Sequence, residues 1–333
     1  MQKLHEGAFA RWPAGTMRDC SHLSSEQYRA EAIMEVSWLE DFLTLSVTRN
    51  FTRAAELRNV TQPAFSRRIR NLEYWVGAVL IDRSLFPISL TPAGEAFRKT
   101  AQGTLDALRS GREEAQGLMP KSREVVSIAA SHTIAVSFFA NWHAELQSRT
   151  GPTKARVVAD NVAGCVEALI TGNCDLMLAY SSAALPTLAD IDYYPSAPLA
   201  RDRLVAVSAP GPGGAARYSL KGKDVLPYLC YSTNSYLGRL TASVIEREDL
   251  SARLDFRYEC SMSDVLKRCA LAGEGIAWIP ELAVRDELAA GTLVLAGDDR
   301  HTSSLRISIY RKAAPGRPEV ERIWAACVPL AED

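Results

Sequence analysis

Residues 37–73, SWLEDFLTLSVTRNFTRAAELRNVTQPAFSRRIRNLE, constrain the fold more than any other stretch of the chain. Trp38, Leu39, Phe42 and Leu45 recur at three- and four-residue steps, the spacing of a helix that buries one side. Thr52 is placed to cap a second short helix, and Ala54-Ala55 lets another helix approach it closely. Asn59-Val60 is expected to end that helix in a tight turn; Thr61 can cap a third, with Pro63 in its permissive first turn. At about 3.6 residues per turn, Phe65, Ile69, Leu72 and Val76 fall within about 60° of one another on this third helix. Pro63, Ser66, Arg67 and Arg70 fall on the opposite side, with Gln62 and Arg68 on the flanks. One face is a core anchor; the other presents donors and guanidinium groups and few acids.

A helix-turn-helix needs that arrangement, because its second helix enters the major groove with N-terminal residues on base edges. Arginine pairs bidentately with guanine or with a phosphate, and glutamine reads adenine. Gln62, Pro63, Ser66, Arg67 and Arg70, with Thr61 at the helix start, are therefore candidate DNA contacts, and Arg68 is a phosphate candidate. Three arginines alone more often form a solvated face; the tight turn and the threonine caps raise the DNA reading above that one. After Gly77, VLIDRSLFPISLTPAGEAF reads as a short β-wing followed by a helix start at Thr91-Pro92. Arg83 on this wing is placed either for a phosphate or for an ion pair with Asp82 or Glu73.

The charge balance is consistent with a local patch. With 38 Lys+Arg against 39 Asp+Glu, the net charge of −1 excludes a uniformly basic binder but not one basic face. A length of 333 residues leaves room for two or three domains at roughly 100–200 residues each. An apolar share of 47% argues against wholesale disorder. No stretch approaches the roughly 18 uncharged apolar residues of a membrane span. Residues 1–33 lack both the apolar core of a secretion signal and any sustained period, so they are expected to form a disordered extension of a cytoplasmic protein. The seven Cys lack a CxxC pair, which fits reduced thiols. His5, His22, His132, His143 and His301 are scattered without metal-ligand spacing, and GxSxG, Walker A and strand-linked GxGxxG motifs are missing. No cofactor, no metal and no enzymatic activity are expected.

Further along, Thr91 to about Leu118 reads as one long helix with Phe97, Ala101, Leu105 and Leu108 along it. Met119-Pro120-Lys121-Ser122 breaks it, because proline disfavours helix at the preceding residue. Beyond this boundary β-like runs alternate with helical stretches. Strands are expected at Val125–Ala130, Ala155–Ala159, Asp175–Tyr180, Leu204–Ser208, Tyr228–Tyr231, Ile276–Ile279 and Leu305–Tyr310. Helices such as Thr133–Ser148 and Ser261–Ala272 lie between them. The alternation predicts a parallel-sheet α/β architecture.

NFTRAAELRNVTQPAFSRRIRNLE, then IDR and SLTPAGEAF, resembles the winged helix-turn-helix of LysR-type transcriptional regulators, in the family's order and spacing. The resemblance implies an α-helical winged helix-turn-helix domain over 34–92 and a long linker helix over 93–121 that pairs two subunits. It further implies a two-lobed α/β effector domain over 122–333, similar to periplasmic binding proteins and crossed twice by the chain. Lobe I would hold about 124–197 and 304–333, and lobe II about 198–303. Implied partners are interrupted palindromes in double-stranded DNA, further copies of the chain as dimer or tetramer, RNA polymerase and a small effector.

In open α/β sheets the ligand site lies beyond the carboxyl ends of strands, where helix N-termini favour anions or small polar groups. Ser131-His132-Thr133, Tyr231-Ser232-Thr233-Asn234-Ser235-Tyr236 and Ser261-Met262-Ser263 meet that description, the last opening a Ser-x-x-Asp capping box with Asp264; Ser232, Thr233 and Asn234 are the candidates of the second. The plainer alternative is that these hydroxyls only cap helices. YSTNSYLGRL and SMSDVLKRCALAGEGIAWIPELA resemble a hypochlorite-responsive branch of the family that senses oxidant through methionine sulfoxide. That resemblance implies Met262 as the sensor. Rival readings are a thiol sensor at Cys230, Cys260 or Cys269, a small anionic metabolite as effector and, from another class, a solute-binding α/β protein or enzyme.

Overall fold

The computed structural model describes residues 34–84, 87–115, 124–185, 194–233 and 235–328. The extension 1–33, the Met119–Ser122 break and Asn234 lie outside them. Helix α1 (Val36–Thr48) buries Trp38, Leu39, Phe42 and Leu45 as their spacing requires. Helix α2 (Phe51–Leu57) starts one residue before Thr52, because the Asn50 side chain accepts the Arg53 N–H at 3.0 Å and serves as the cap. Asn59 makes the tight turn at φ 51°, a left-handed conformation that asparagine tolerates better than most residues. Helix α3 (Gln62–Val76) follows Thr61 and buries Phe65, Ile69 and Leu72.

Glu73 near the end of α3 organises the wing. Its carboxylate accepts the Leu80 and Ile81 N–H groups at 3.0 and 3.1 Å, and strand β1 (Ile81–Asp82) pairs antiparallel with β2 (Ser89–Leu90). The Thr91 hydroxyl then accepts from the Gly94 N–H and donates to the Val79 carbonyl, tying the wing to helix α4 (Pro92–Ala115). A Cβ at Gly94 would stand 2.1 Å from the Leu80 carbonyl oxygen, so glycine is what lets helix and wing meet. The apolar stripe of α4 is used inside its own chain. Phe97 packs on Phe42 with ring centroids 5.6 Å apart, and Ala101 and Leu105 are buried in the core shared by α1 and the next domain. Leu108 is 52% exposed, and the open side of α4 carries the small residues Ala93, Ala96, Thr100, Gly103 and Ala107.

The second half of the chain begins with β3 (Val125–Ser131), α5 (His132–Ser137), α6 (Phe139–Thr150), β4 (Lys154–Asp160), α7 (Val162–Thr171) and β5 (Leu176–Ser181). It continues through β6 (Ser196–Ser208), β7 (Leu226–Cys230), α8 (Tyr236–Arg247), β8 (Leu254–Glu259) and α9 (Ser263–Leu271). The last elements are β9 (Ala277–Pro280), α10 (Arg285–Ala290), β10 (Val294–Leu295), β11 (Ser303–Arg311) and α11 (Pro318–Cys327). The main sheet is seven-stranded, ordered β10-β6-β11-β5-β3-β4, with β9 also paired to β6. It is mixed rather than parallel. β3 runs parallel to β4 and β5, but β11 is antiparallel to both β5 and β6. The reason is the double crossing: β6 carries the chain from one α/β lobe to the other, and β11 brings it back alongside. β7 and β8 form a separate parallel pair. The helix expected over Thr133–Ser148 is broken at Phe138 (φ −124°, ψ −42°) into α5 and α6. Among the described residues no helix is long and apolar enough to cross a membrane.

Candidate nucleic-acid interface and effector cleft

The outer face of α3 is open. Thr61, Gln62, Pro63, Arg67 and Arg70 are exposed and Ser66 is half-buried. Gln62 Nε2 donates to Ser66 Oγ at 3.2 Å, and Arg70 Nε to the Ser66 carbonyl at 3.3 Å, so the donors lie along one ridge. Arg68 turns away from it: its Nη1 lies 3.3 Å from Oδ2 of the buried Asp41. Arg83 takes the ion-pair position, with Nη2 at 2.8 Å from Glu73 Oε2 and its guanidinium 5.3 Å from the Phe51 ring centroid. Gln62, Pro63, Ser66, Arg67 and Arg70 thus share one surface, with Arg68 and Arg83 held by carboxylates beside it.

In the second domain the hydroxyl-bearing segments divide. Thr133 Oγ1 and Ser263 Oγ are 2.9 Å apart and the Tyr231 hydroxyl is 2.7 Å from the same Ser263 oxygen, all three side chains buried. Thr133 lies on α5 in one lobe, and Tyr231 and Ser263 follow β7 and open α9 in the other, so a chain of hydroxyls joins the lobes across the cleft. Ser131, at the end of β3, is buried and its Oγ has no hydrogen-bond partner among the described residues. His132 is half-buried at the start of α5, Ser232 is half-buried, and Thr233 and Ser261 are exposed. The capping box does not form. Helix α9 starts at Ser263, and Met262 stands in the cap position with no side-chain cap bond. Its side chain is 37% exposed, and its N–H points at Cys260 Sγ, 3.4 Å away.

Burial dominates the electrostatics here. It pushes the Tyr231 phenol up, against the opposing pull of the Ser263 hydrogen bond. Burial, with the Asp202 carboxylate behind it, raises Tyr180 well above the ordinary phenol value. Cys165 and Cys174 are pushed up to about 12 by burial, and Cys230 and Cys269 are raised by the same cause. Thiolate chemistry is therefore suppressed at these positions. Among the described residues no group of three His, Cys, Asp or Glu side chains is placed to hold a metal ion.

Sequence reasoning placed Tyr231 at the end of a strand and at the head of a candidate ligand segment, but did not name its hydroxyl among the effector residues. It missed altogether a cluster formed by Arg58, Glu40, Asp41 and Glu167, in which Arg58 and Glu167 stand 109 positions apart. No local pattern signals such a pairing.

A family model for the bacterial regulatory helix-turn-helix protein, lysR family, matches residues 36–95, and one for the LysR substrate binding domain matches residues 121–331. The chain belongs to the LysR family. This LysR-type transcriptional regulator is 34% identical to the HTH-type transcriptional regulator YjiE of Escherichia coli K12 over 292 residues, which is 87% of this chain and 93% of the relative. Among solved structures it is similar to Vibrio fischeri DarR in complex with DNA, at 36% identity and a TM-score of 0.55, over 89% of this chain and 99% of DarR. It is also similar to full-length HypT from Salmonella typhimurium, described as a hypochlorite-specific LysR-type regulator. That match has 33% identity and a TM-score of 0.54, over 88% of this chain and 96% of HypT. The LysR-type fold accounts for the winged helix-turn-helix, the linker helix and the two-lobed α/β domain together. Its members are transcriptional regulators that bind DNA and assemble as oligomers.

Proposed function

We propose that this regulator reads interrupted palindromic sites in double-stranded DNA and responds to hypochlorite through oxidation of Met262. Gln62, Pro63, Ser66, Arg67 and Arg70 would meet the DNA, with Thr61 at the helix start. The observation that carries the oxidant reading is the position of one thioether. Met262 is 37% exposed and adjoins Ser263, the hydroxyl on which both lobes converge, whereas Met177 is fully buried. Hypochlorite transfers its oxygen to the sulfur, giving sulfoxide and chloride, and turns an apolar side chain into a polar acceptor. At the cap of α9 the thioether satisfies no N–H. A sulfoxide oxygen supplies the missing acceptor, a change of about 1 kcal/mol at an N-cap. The cleft hydroxyls are pulled with it. The likeness to HypT supports this reading.

A second reading is favoured by Ser131, two positions before Thr133, whose buried hydroxyl lacks a hydrogen-bond partner among the described residues. A small anionic metabolite would satisfy it without any oxidation. In either case the units that act are the winged helix-turn-helix (34–92), the linker (93–121) and the effector domain (122–333), in the cytoplasm where the DNA lies. A second copy would pair along the small-residue side of α4. RNA polymerase would be the downstream partner.

The test is fluorescence anisotropy on a duplex from upstream of the protein's own gene, before and after limiting hypochlorite, with mass mapping of every Met and Cys. The expected result is one oxygen on Met262, a shift in affinity, and no shift in Met262→Leu. Binding that shifts with Cys oxidation while Met262 stays reduced would sink the methionine reading. Binding indifferent to oxidant would leave the anionic effector.

A further inference from the structure

The helix-turn-helix is fastened to the effector domain by a closed cluster of charges. Arg58 caps the C-terminus of α2 and directs its guanidinium at three carboxylates. Nε reaches Asp41 Oδ1 at 2.7 Å, Nη2 reaches Glu40 Oε2 at 2.5 Å, and Nη1 pairs with Glu167. Glu40 and Asp41 lie on α1, and Glu167 lies on α7 of the effector domain. The Arg58 side chain is 12% exposed, that of Asp41 0% and that of Glu167 25%, so the cluster is anchored in a buried carboxylate and only its Glu167 side is partly open to solvent. Burial works against the Arg58 charge, but the Asp41 hydrogen bond and the surrounding carboxylates outweigh it and hold its pKa above the usual value. Around the cluster α1 lies against α7, and Phe42, Val166, Leu169 and Ile170 belong to one apolar core. Helix α4 grips the same surface, with Arg109 donating to the Thr171 carbonyl and Lys312 Nζ at 2.9 Å from Asp106.

Apolar contact holds two bodies together but defines their relative position loosely. Guanidinium–carboxylate bonds are directional and specify it. Asp41 is shared, since its second oxygen holds Arg68 on α3 at 3.3 Å. One buried carboxylate therefore connects the DNA-reading helix to the arginine that grips the effector domain. We propose that the Arg58–Glu167 pair is a docking latch that seats the helix-turn-helix on the effector domain, so that the effector domain sets where α3 of each copy meets DNA. The inference rests on the DNA-binding reading. Two recognition helices must reach half-sites one helical turn apart, about 34–36 Å, or a multiple of it. A fixed seat converts the geometry of the effector domains into discrimination of half-site spacing.

The test uses the full-length protein, Glu167→Arg, and Glu167→Gln as the conservative variant that keeps an acceptor toward Arg58. In hydrogen-exchange mass spectrometry of the protein alone, residues 36–48 and 162–171 are expected to exchange about tenfold faster in Glu167→Arg, with Glu167→Gln within about twofold of wild type. Anisotropy is then measured on a footprinted two-half-site duplex and on the same duplex with half a helical turn inserted between the half-sites. Wild type and Glu167→Gln prefer the native spacing by about tenfold, and Glu167→Arg loses that preference to within about twofold. The salt slope stays unchanged, because no phosphate-facing cation is removed. Should charge reversal unfold the chain, Glu167→Ala provides the same comparison. Wild-type exchange in Glu167→Arg, or an undiminished spacing preference, overturns the latch. A wild-type protein that binds no DNA would remove the DNA-binding reading, while the exchange data would still decide whether the seat exists.

Discussion

Replacing Ser263 by alanine removes one oxygen and leaves two buried hydroxyls without their partner. Thr133 Oγ1 and the Tyr231 hydroxyl both bond to Ser263 Oγ, at 2.9 and 2.7 Å, and both side chains are at most 5% exposed. A buried polar group left unsatisfied costs about 1–3 kcal/mol, so the ceiling for two is about 6 kcal/mol. The two groups share one site and their costs do not simply add, which brings the expected loss to about 2–4 kcal/mol. For a domain of about 200 residues that corresponds to roughly 4–16 °C in Tm. The assay is urea unfolding followed by tryptophan fluorescence, with Thr133→Val and Tyr231→Phe alongside. Each of these leaves the other hydroxyl bonded to Ser263 and is expected to cost about 1 kcal/mol. The cycle between Ser263→Ala and Tyr231→Phe is expected to show coupling of about 1 kcal/mol or more. A loss below about 0.5 kcal/mol in Ser263→Ala would refute the reasoning, because it would mean that water reaches both hydroxyls and the lobes are not joined there.

Arg67→Ala and Arg70→Ala are expected to weaken DNA binding by about 1–3 kcal/mol each while leaving thermal unfolding nearly unchanged. Arg68→Ala should instead lower the unfolding midpoint, because it strips a partner from the buried Asp41 carboxylate, and an equal midpoint would contradict the ion pair. Cys165 and Cys174, at most 4% exposed and pushed up to about 12, are expected to resist iodoacetamide at mild alkaline pH until the chain unfolds. Burial also raises the Asp202 carboxyl above its usual range, against the bonds it accepts from the Arg203 and Leu282 N–H groups and the Tyr180 hydroxyl. A folded-state pKa above the unfolded one, about 4, contributes stability that is present below that value and lost as pH rises through the folded pKa. The stability advantage of wild type over Asp202→Asn should therefore shrink as pH rises from about 4 towards neutrality, and a flat difference would reject Asp202 as the titrating group.

The helix-turn-helix was legible because its signals are local. Periodicity, the turn at Asn59 and the proline in the first turn of α3 each depend on neighbours within a few positions. The hydroxyls of Thr133 and Ser263 were found by the same local rule, as polar residues at helix starts. Their meeting 130 positions apart was not legible, since only the folded double crossing of β6 and β11 brings them together. The first part of β6 was missed because Arg201, Asp202 and Arg203 interrupt an apolar run. In the fold Arg203 pairs outward with Glu281 at 2.8 Å while Asp202 is satisfied inside by Tyr180 at 3.0 Å. Strand β8 was missed because LDFRYE lies on an edge with most of its side chains exposed and shows no buried alternation. The capping box failed for a similar reason: the cap moved by one residue, from Ser261 to Met262, where Ser263 meets the Tyr231 hydroxyl across a long stretch of sequence.

The way α4 spends its apolar side has a thermodynamic consequence for assembly. Ala101 and Leu105 are buried and Phe97 half-buried against their own chain, so most of the apolar stripe of this helix is covered within one subunit. Folding and association then become separate equilibria. The unfolding midpoint should rise with protein concentration only as mass action between folded subunits requires, whereas an obligate dimer has no stable folded subunit to associate. Occupancy of DNA by assembled copies would then depend on how many copies of the chain are present.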